Sequence, residues 1–299
     1  MKLKQTYWKN SLVVLFVCLF IVLFSCTERI QITTEDAPEH LVIYGYITNE
    51  TMAHSVRITR STGYFSPNTP AGVSGAVVQI TTGKEVFKLT ENKKDPGLYE
   101  TKPDVTGVAG KEYVLSVSVD VDGDGVKEEF EATDCMPYPA EIDSIKLRES
   151  VAIDDHLEVQ LYGRVPKENK NSYFSFHAYR NGALVNDSLT GFFIMDDEHL
   201  VKTEFFGLPC FYLDQDDDVS KLNPGDYITL RVDILTKAYA DFLNRAQMQV
   251  YGSNPIFSGP PANVESNIRS VRNTNKIPIV GFFGAFSGKL KSAVYELEK

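Results

Sequence analysis

From Leu41 onward the chain reads in twos. Residues 54–60 place Val56 and Ile58 on one side of an extended segment, and residues 76–81 and 85–90 repeat the pattern. Within 112–120, Tyr113, Leu115, Val117 and Val119 share one side. Alternation of this kind predicts strands with one buried face. Ser66-Pro67-Asn68, Asp95-Pro96-Gly97 and the pair Gly107 and Gly110 punctuate the runs as turns. Short strands separated by regular turns predict a β-sandwich over residues 40–136.

Met136-Pro137-Tyr138-Pro139 interrupts the alternation. Each proline lacks an amide donor and disfavours helix in the residue before it, so this segment should run extended and mark a domain boundary. A second β-rich domain is expected over 140–299. Strands are expected at 142–148, 157–162 and 172–180, the last followed by Asn181-Gly182, a hairpin turn. Residues 226–235 set Ile228, Leu230, Val232 and Ile234 against Tyr227, Thr229, Arg231 and Asp233. The period then changes. Tyr239, Phe242, Leu243, Ala246 and Val250 recur at helical spacing and predict one helix near 236–250. A turn-rich loop at 252–261 follows, and strands at 277–286 and 292–297 close the sheet. The class predicted is all-β, two β-sandwich modules with one helix in the C-terminal half.

The N-terminus follows another rule. Lys2, Lys4 and Lys9 precede an almost unbroken apolar run over 11–24, too short for a comfortable membrane span, and Leu23-Phe24-Ser25 leads into Cys26. This is the arrangement of a bacterial lipoprotein signal. Residues 1–25 are expected to be removed, Cys26 to carry lipid, and residues 26–39 to serve as a polar tether. The competing reading is a plain anchor helix with an incidental cysteine.

Charge narrows the partners. The chain carries −10, and losing the three lysines of 1–25 takes it to −13 over 274 residues. That balance repels nucleic acid and anionic lipid. Of four cysteines, Cys18 lies in the signal core and Cys26 takes lipid, which leaves Cys135 and Cys210. In an oxidising compartment these two either bridge or stay as separate buried thiols.

The order of several short motifs resembles the domain-of-unknown-function 4249 family of Gram-negative envelope lipoproteins. They are Leu41-Val42-Ile43-Tyr44-Gly45-Tyr46-Ile47, Val73-Ser74-Gly75-Ala76-Val77-Val78, Gly97-Leu98-Tyr99 and Gly107-Val108-Ala109-Gly110-Lys111-Glu112-Tyr113. Met136-Pro137, Ile142-Asp143-Ser144-Ile145, Tyr239, residues 263–268 and Gly281-Phe282-Phe283-Gly284-Ala285-Phe286 complete the series. The first half also looks like the prealbumin/Ig-like modules that accompany outer-membrane transporters. The resemblance implies an outer-membrane lipoprotein, often encoded near TonB-dependent receptors, with no catalytic residues to carry over.

Outside that pattern, Asp120-Val121-Asp122-Gly123-Asp124-Gly125 continues through Val126 to Glu131 with the spacing of an EF-hand loop. Asp120, Asp122, Asp124, the Val126 carbonyl and Glu131 could hold a structural calcium, which takes six to eight hard oxygens. Lys127 and the strand-like flanks depart from that loop, and Asp-Gly pairs also make bare hairpin tips. The runs 214–218 and 196–199 read as solvated acidic loops.

Signals for catalysis are poor. No Gly-x-Ser-x-Gly elbow, His-Glu-x-x-His or phosphate loop occurs, and histidines 40, 54, 156, 177 and 199 are scattered. Tyr44, Tyr46, Tyr64 and Phe65 are candidates for a recognition surface, or for ordinary sandwich packing. Asp143-Ser144-Ile145 and Asp187-Ser188-Leu189 resemble O-glycan acceptors. The leading expectation is a non-enzymatic accessory lipoprotein of the outer membrane, with no required cofactor and a TonB-dependent receptor as partner. The alternatives are a surface adhesin or glycan binder, and a hydrolase with an unrecognised site.

Overall fold

The computed structural model describes residues 39–63, 66, 68–185, 193–198, 200, 203–251, 264–272 and 278–296. They fall within one unit, Pro38–Lys299. The signal segment 1–25, Cys26 and most of the tether lie outside the described residues, as do Tyr64, Phe65, Asp187-Ser188-Leu189, His199 and the loop at 252–261.

The alternation becomes strands. The first half holds β1 (Leu41–Thr48), β2 (Ser55–Arg60), β3 (Val77–Thr82), β4 (Glu85–Glu91), β5 (Leu98–Glu100), β6 (Glu112–Val119) and β7 (Glu128–Cys135). In β6 Tyr113, Leu115, Val117 and Val119 are buried, as their shared parity requires. They join Ile43 and Ile47 of β1, Val56 and Ile58 of β2, and Phe130 of β7 in one core. Fully burying a side chain of this size stabilises the fold by roughly 1.5–3 kcal/mol. The β1-β2-β5 side and the β3-β6-β7 side of this sandwich are joined through β4, which pairs with both β3 and β5.

After the irregular segment at Met136-Pro137-Tyr138-Pro139 come β8 (Glu141–Glu149), β9 (His156–Arg164), β10 (Tyr173–Arg180), β11 (Ala183–Leu184), β12 (Phe193–Asp196), β13 (Glu204–Asp214) and β14 (Tyr227–Leu235). Asn181 and Gly182 both take positive φ, 49° and 86°, as a two-residue hairpin turn demands. A three-stranded sheet, β13-β9-β8, faces β10 and β14 across a second core built on Val159, Leu161, Phe174, Phe176, Phe205 and Ile228.

The expected helix is α1 (Lys237–Tyr251), the one helix among the described residues. Thr236 starts it, accepting a bond at Oγ1 from the Tyr239 amide at 3.3 Å. Its apolar stripe, Tyr239, Phe242 and Leu243, lies on Phe282 and Phe286. No helix among the described residues is long and apolar enough to cross a membrane. After β15 (Arg269–Ser270) comes β16 (Ile279–Val294). Two closing strands were expected, and one strand of 16 residues takes their place. Residues 279–286 pair in parallel with β1, and residues 287–294 pair antiparallel with β14. Glycines allow this long strand its neighbours. A Cβ at Gly281 would stand 2.0 Å from the Ile43 carbonyl oxygen, and one at Gly284 would stand 2.8 Å from the Tyr239 ring. The class is all-β with one helix and sandwich-like packing.

Candidate functional site

Two groups of charged side chains stand out. The first is the turn between β6 and β7. Asp120, Asp122 and Asp124 each offer a carboxylate oxygen, all within 4.8 Å of one another. The turn folds by bonding these carboxylates to its own amides. Gly123 N donates to Asp120 Oδ1 at 2.7 Å, and Gly125 N donates to Asp120 Oδ2 at 2.9 Å. Val126 N donates to Asp124 Oδ1 at 2.7 Å. Gly123 and Gly125 supply the positive φ, 79° and 85°, that this winding needs.

Glu131 does not join them. The hairpin register pairs Val119 with Glu128 and Ser116 with Glu131, so Glu131 sits three residues into β7. At a strand's rise that is roughly 10 Å from the turn. A helix flank would have brought it back, and a strand carries it away. Glu128 stands beside the turn instead, its Oε2 accepting from Val121 N at 3.0 Å. Val126 is exposed. The oxygen set fits a cation only in part, through the three aspartates.

The second group lies beneath the surface beside α1. On β14, Arg231 and Asp233 occupy the face opposite Ile228, Leu230 and Val232. Arg231 Nε donates to both Asp233 oxygens, at 2.8 and 2.9 Å, and its Nη1 donates to Glu50 Oε2 at 2.6 Å. On β10, His177 and Ser175 share the same sheet face. His177 Nε2 is 3.0 Å from Ser175 Oγ and 3.6 Å from Asp233 Oδ2. Gly288 on β16 leaves room, since a Cβ there would lie 2.4 Å from Asp233 Oδ1. Burial pushes Asp233 up to about 6 against the pull of Arg231. Burial, with Arg231 beside it, pushes His177 down to about 4, so the ring is neutral at pH 7. Burial opposes the charge of Arg231, but Asp233 and Glu50 outweigh it and hold the guanidinium protonated.

Serine, histidine and aspartate here do not form a proton relay. A relay passes the proton through opposite ring nitrogens, and His177 turns one nitrogen, Nε2, toward both partners. Sequence reading set Arg231 and Asp233 on one strand face and His177 within the strand expected at 172–180. It missed that Glu50, 181 residues from Arg231, completes the group.

The remaining candidates resolve one by one. The Cys135–Cys210 bridge is not formed. Cys210 is buried in the second core, its Sγ donating to the Val159 carbonyl at 3.2 Å, whereas Cys135 at the end of β7 is exposed. Burial pushes both thiols up. Tyr44 and Tyr46 are packing residues rather than a recognition surface. Tyr44 Oη meets Tyr239 Oη at 2.9 Å, and the Tyr46 ring lies 5.5 Å from Phe286. His54 is a core histidine, with Nε2 3.3 Å from the Val105 carbonyl. Asp143-Ser144-Ile145 lies within β8, with Ile145 in the second core. The run at 214–218 is a turn tied by Ser220, whose Oγ donates to Asp217 Oδ2 at 2.8 Å.

No curated protein matches the chain. A solved structure of a 1.5-MDa bacterial ice-binding adhesin, described for its retention at the host cell surface, matches at 11% identity. The match covers 89% of this chain and 67% of that one, with a TM-score of 0.22, and at that score it carries no argument. The family model described as "Domain of unknown function (DUF4249)" matches residues 27–292, nearly everything after Cys26, and the chain belongs to that family.

Proposed function

We propose that this protein is a lipid-anchored component of the outer membrane that acts by binding rather than catalysis, in the company of a TonB-dependent receptor. The observation that carries this reading is the N-terminal pattern. Three lysines, an apolar run over 11–24 and Leu23-Phe24-Ser25-Cys26 make a signal that ends at an acylated thiol. The geometry around His177 supports the non-enzymatic half, because Ser175 and Asp233 meet the same ring nitrogen and the Ser175 side chain is buried. The aspartates of the 120–125 turn are assigned a stiffening role, with calcium as the ion they would take.

The test is fractionation of the full chain in a Gram-negative host. The wild type is expected in the outer membrane, and Cys26→Ser is expected to remain unprocessed or to be released. A Cys26→Ser protein that is cleaved normally and still sediments with the membrane overturns the lipid anchor. Wild type confined to the inner membrane overturns the address, and copurification with a TonB-dependent receptor tests the partner.

A further inference from the structure

The three-stranded sheet has two unlike faces. Leu157, Val159 and Leu161 of β9 turn into the second core. Glu158, Gln160 and Tyr162 alternate with them and turn outward. Directly opposite on β8 stand Arg148, Lys146 and Ser144, in register with Glu158, Gln160 and Tyr162. On β13, Tyr212 pairs with Glu158, Pro209 with Gln160 and Phe206 with Tyr162. Paired residues share a face, so these side chains form one patch.

The patch is organised. Tyr162 Oη donates to Gln160 Oε1 at 3.1 Å, and Gln160 Nε2 donates to Glu158 Oε1. Glu158 and Gln160 are 8% and 7% exposed, so the polar row sits at the floor of the patch. Around it rise the exposed groups. Phe206 is 90% exposed, its ring 6.0 Å from Tyr162 in an edge contact, and Tyr212 is exposed beyond Glu158. Lys146 Nζ lies 5.0 Å from the centre of the Tyr162 ring. Two irregularities in β13, at Phe206/Leu208 and Pro209/Phe211, break its alternation there. Gly207 at φ 71° fills the first, and a Cβ there would stand 3.0 Å from Tyr162 Oη. Ordinary alternation ahead of the bulge puts Phe205 in the core and Phe206 in water.

Phe206 is not a lone apolar side chain, since Tyr162 and Tyr212 lie on the same face. Protein interfaces tend to be depleted of charge at their centres. Here the centre is a row of planar amide and carboxylate groups, with aromatic rings on one side and two cations on the other. That mixture matches a molecule apolar on its ring faces and rimmed by hydroxyls. We infer that this face of β13-β9-β8 binds an oligosaccharide laid along β9, with sugar rings on Phe206 and Tyr212 and hydroxyls over Gln160, Lys146 and Arg148. From Tyr162 to Glu158 the row runs roughly 13 Å, the length of a short sugar chain. The inference goes beyond the membrane address and stands whether or not Cys26 carries lipid.

Calorimetric titration of the full-length protein in detergent tests it, with a cello-oligosaccharide and an oligogalacturonate of equal length as probes. Binding of either supports the site. A preference for oligogalacturonate that is lost in Lys146→Ala shows that the cations read carboxylates, and equal binding shows that they read hydroxyls. Phe206→Ala is expected to weaken binding about tenfold and to melt with the wild type, because that ring packs little. Two results overturn the site: no binding of either probe at millimolar concentration, or Phe206→Ala binding as tightly as wild type. A photocrosslinker at position 206 that traps a polypeptide, where neither sugar binds, assigns the face to a protein and overturns it equally.

Discussion

The turn at 120–125 and the cluster around Arg231 are both rich in acid, and they hold it by opposite means. At the turn, three aspartates follow one another in sequence, stay near water and bond to the turn's own amides. In the cluster, the acids come from distant parts of the chain, Glu50 after β1 and Asp233 within β14, and share one guanidinium. The Asp233 side chain is 5% exposed and that of Glu50 28%. Acid gathered in sequence at a surface costs little, because solvent screens it. Acid gathered in space beneath a surface has lost solvation and depends on its cation. The turn is therefore replaceable, and the cluster ties β1, β10, β14 and β16 together.

The sharpest break of this contrast is Arg231→Met. It leaves Asp233 and Glu50 without their shared cation, and a loss of roughly 3–5 kcal/mol in urea unfolding is expected. Adding Asp233→Asn to Arg231→Met should recover part of the loss, since the stranded charge is then gone. A loss below about 1 kcal/mol would place the cluster among ordinary surface pairs and dissolve the distinction.

A smaller effect separates buried acid with a cation from buried acid without one. Asp134 at the end of β7 is held by the Ala285 amide at 2.8 Å, the Thr236 hydroxyl at 3.2 Å and the Cys135 amide at 3.0 Å. Burial pushes it from 3.8 up to about 6. The folded state therefore favours its protonated form. The stability it contributes is full below pH 4 and is lost as pH rises through about 6. At about 1.4 kcal/mol per pKa unit, the shift corresponds to roughly 3 kcal/mol. His177 runs the other way: its folded value of about 4 lies below its ordinary 6.5, so its contribution is present above 6.5 and is lost as pH falls toward 4. Subtracting Asp134→Asn from wild type isolates the first effect. Unfolding at pH 4.5 and 7.5 should show wild type losing stability relative to Asp134→Asn at the higher pH. Parallel curves would show that Asp134 titrates as it does in the unfolded chain.

Much of this fold was legible. Strands β2, β3, β6, β9, β10 and β14 and helix α1 follow from the parity of apolar residues, because one buried face imposes a period that survives any tertiary context. Strand β7 carries only Phe130 and Ala132 on its apolar side, among Glu128, Glu129 and Glu131. Strand β13 loses its parity at Gly207 and Pro209, where the ladder bulges. Neither gives a clean period. The merging of two closing segments into β16 depends on partners far away in sequence, β1 and β14, which no local window contains. Sites divide the same way. Asp120, Asp122 and Asp124 announced themselves by spacing, but Glu131 could be placed only once the flanks were known to be strands. The Arg231 cluster showed in sequence as two charges on a strand face, and its third member lay outside any pattern.

The smallest effect concerns the turn itself. Calcium is expected to raise the melting temperature, and to raise it further as its free concentration climbs; at a hundred times the dissociation constant the added stability is about 2.7 kcal/mol. Magnesium should act more weakly, since a flexible carboxylate turn poorly matches its small octahedral shell. Asp122→Asn with Asp124→Asn should abolish the response and leave the metal-free protein almost unchanged, because those carboxylates bond exposed amides of the turn, which an asparagine oxygen can accept equally. The distinguishing variants are Glu131→Gln and Glu128→Gln. An EF-hand loop would lose most of its affinity with its twelfth-position glutamate. The hairpin register predicts instead that Glu131→Gln responds to calcium as wild type does, and that Glu128→Gln responds less, because Glu128 is the acid beside the turn. A calcium response lost in Glu131→Gln would mean that the hairpin opens to wrap the ion. Calorimetry without binding heat, together with no thermal shift, would leave the turn as a hairpin tip capped by its own amides, and the contrast with Arg231 complete.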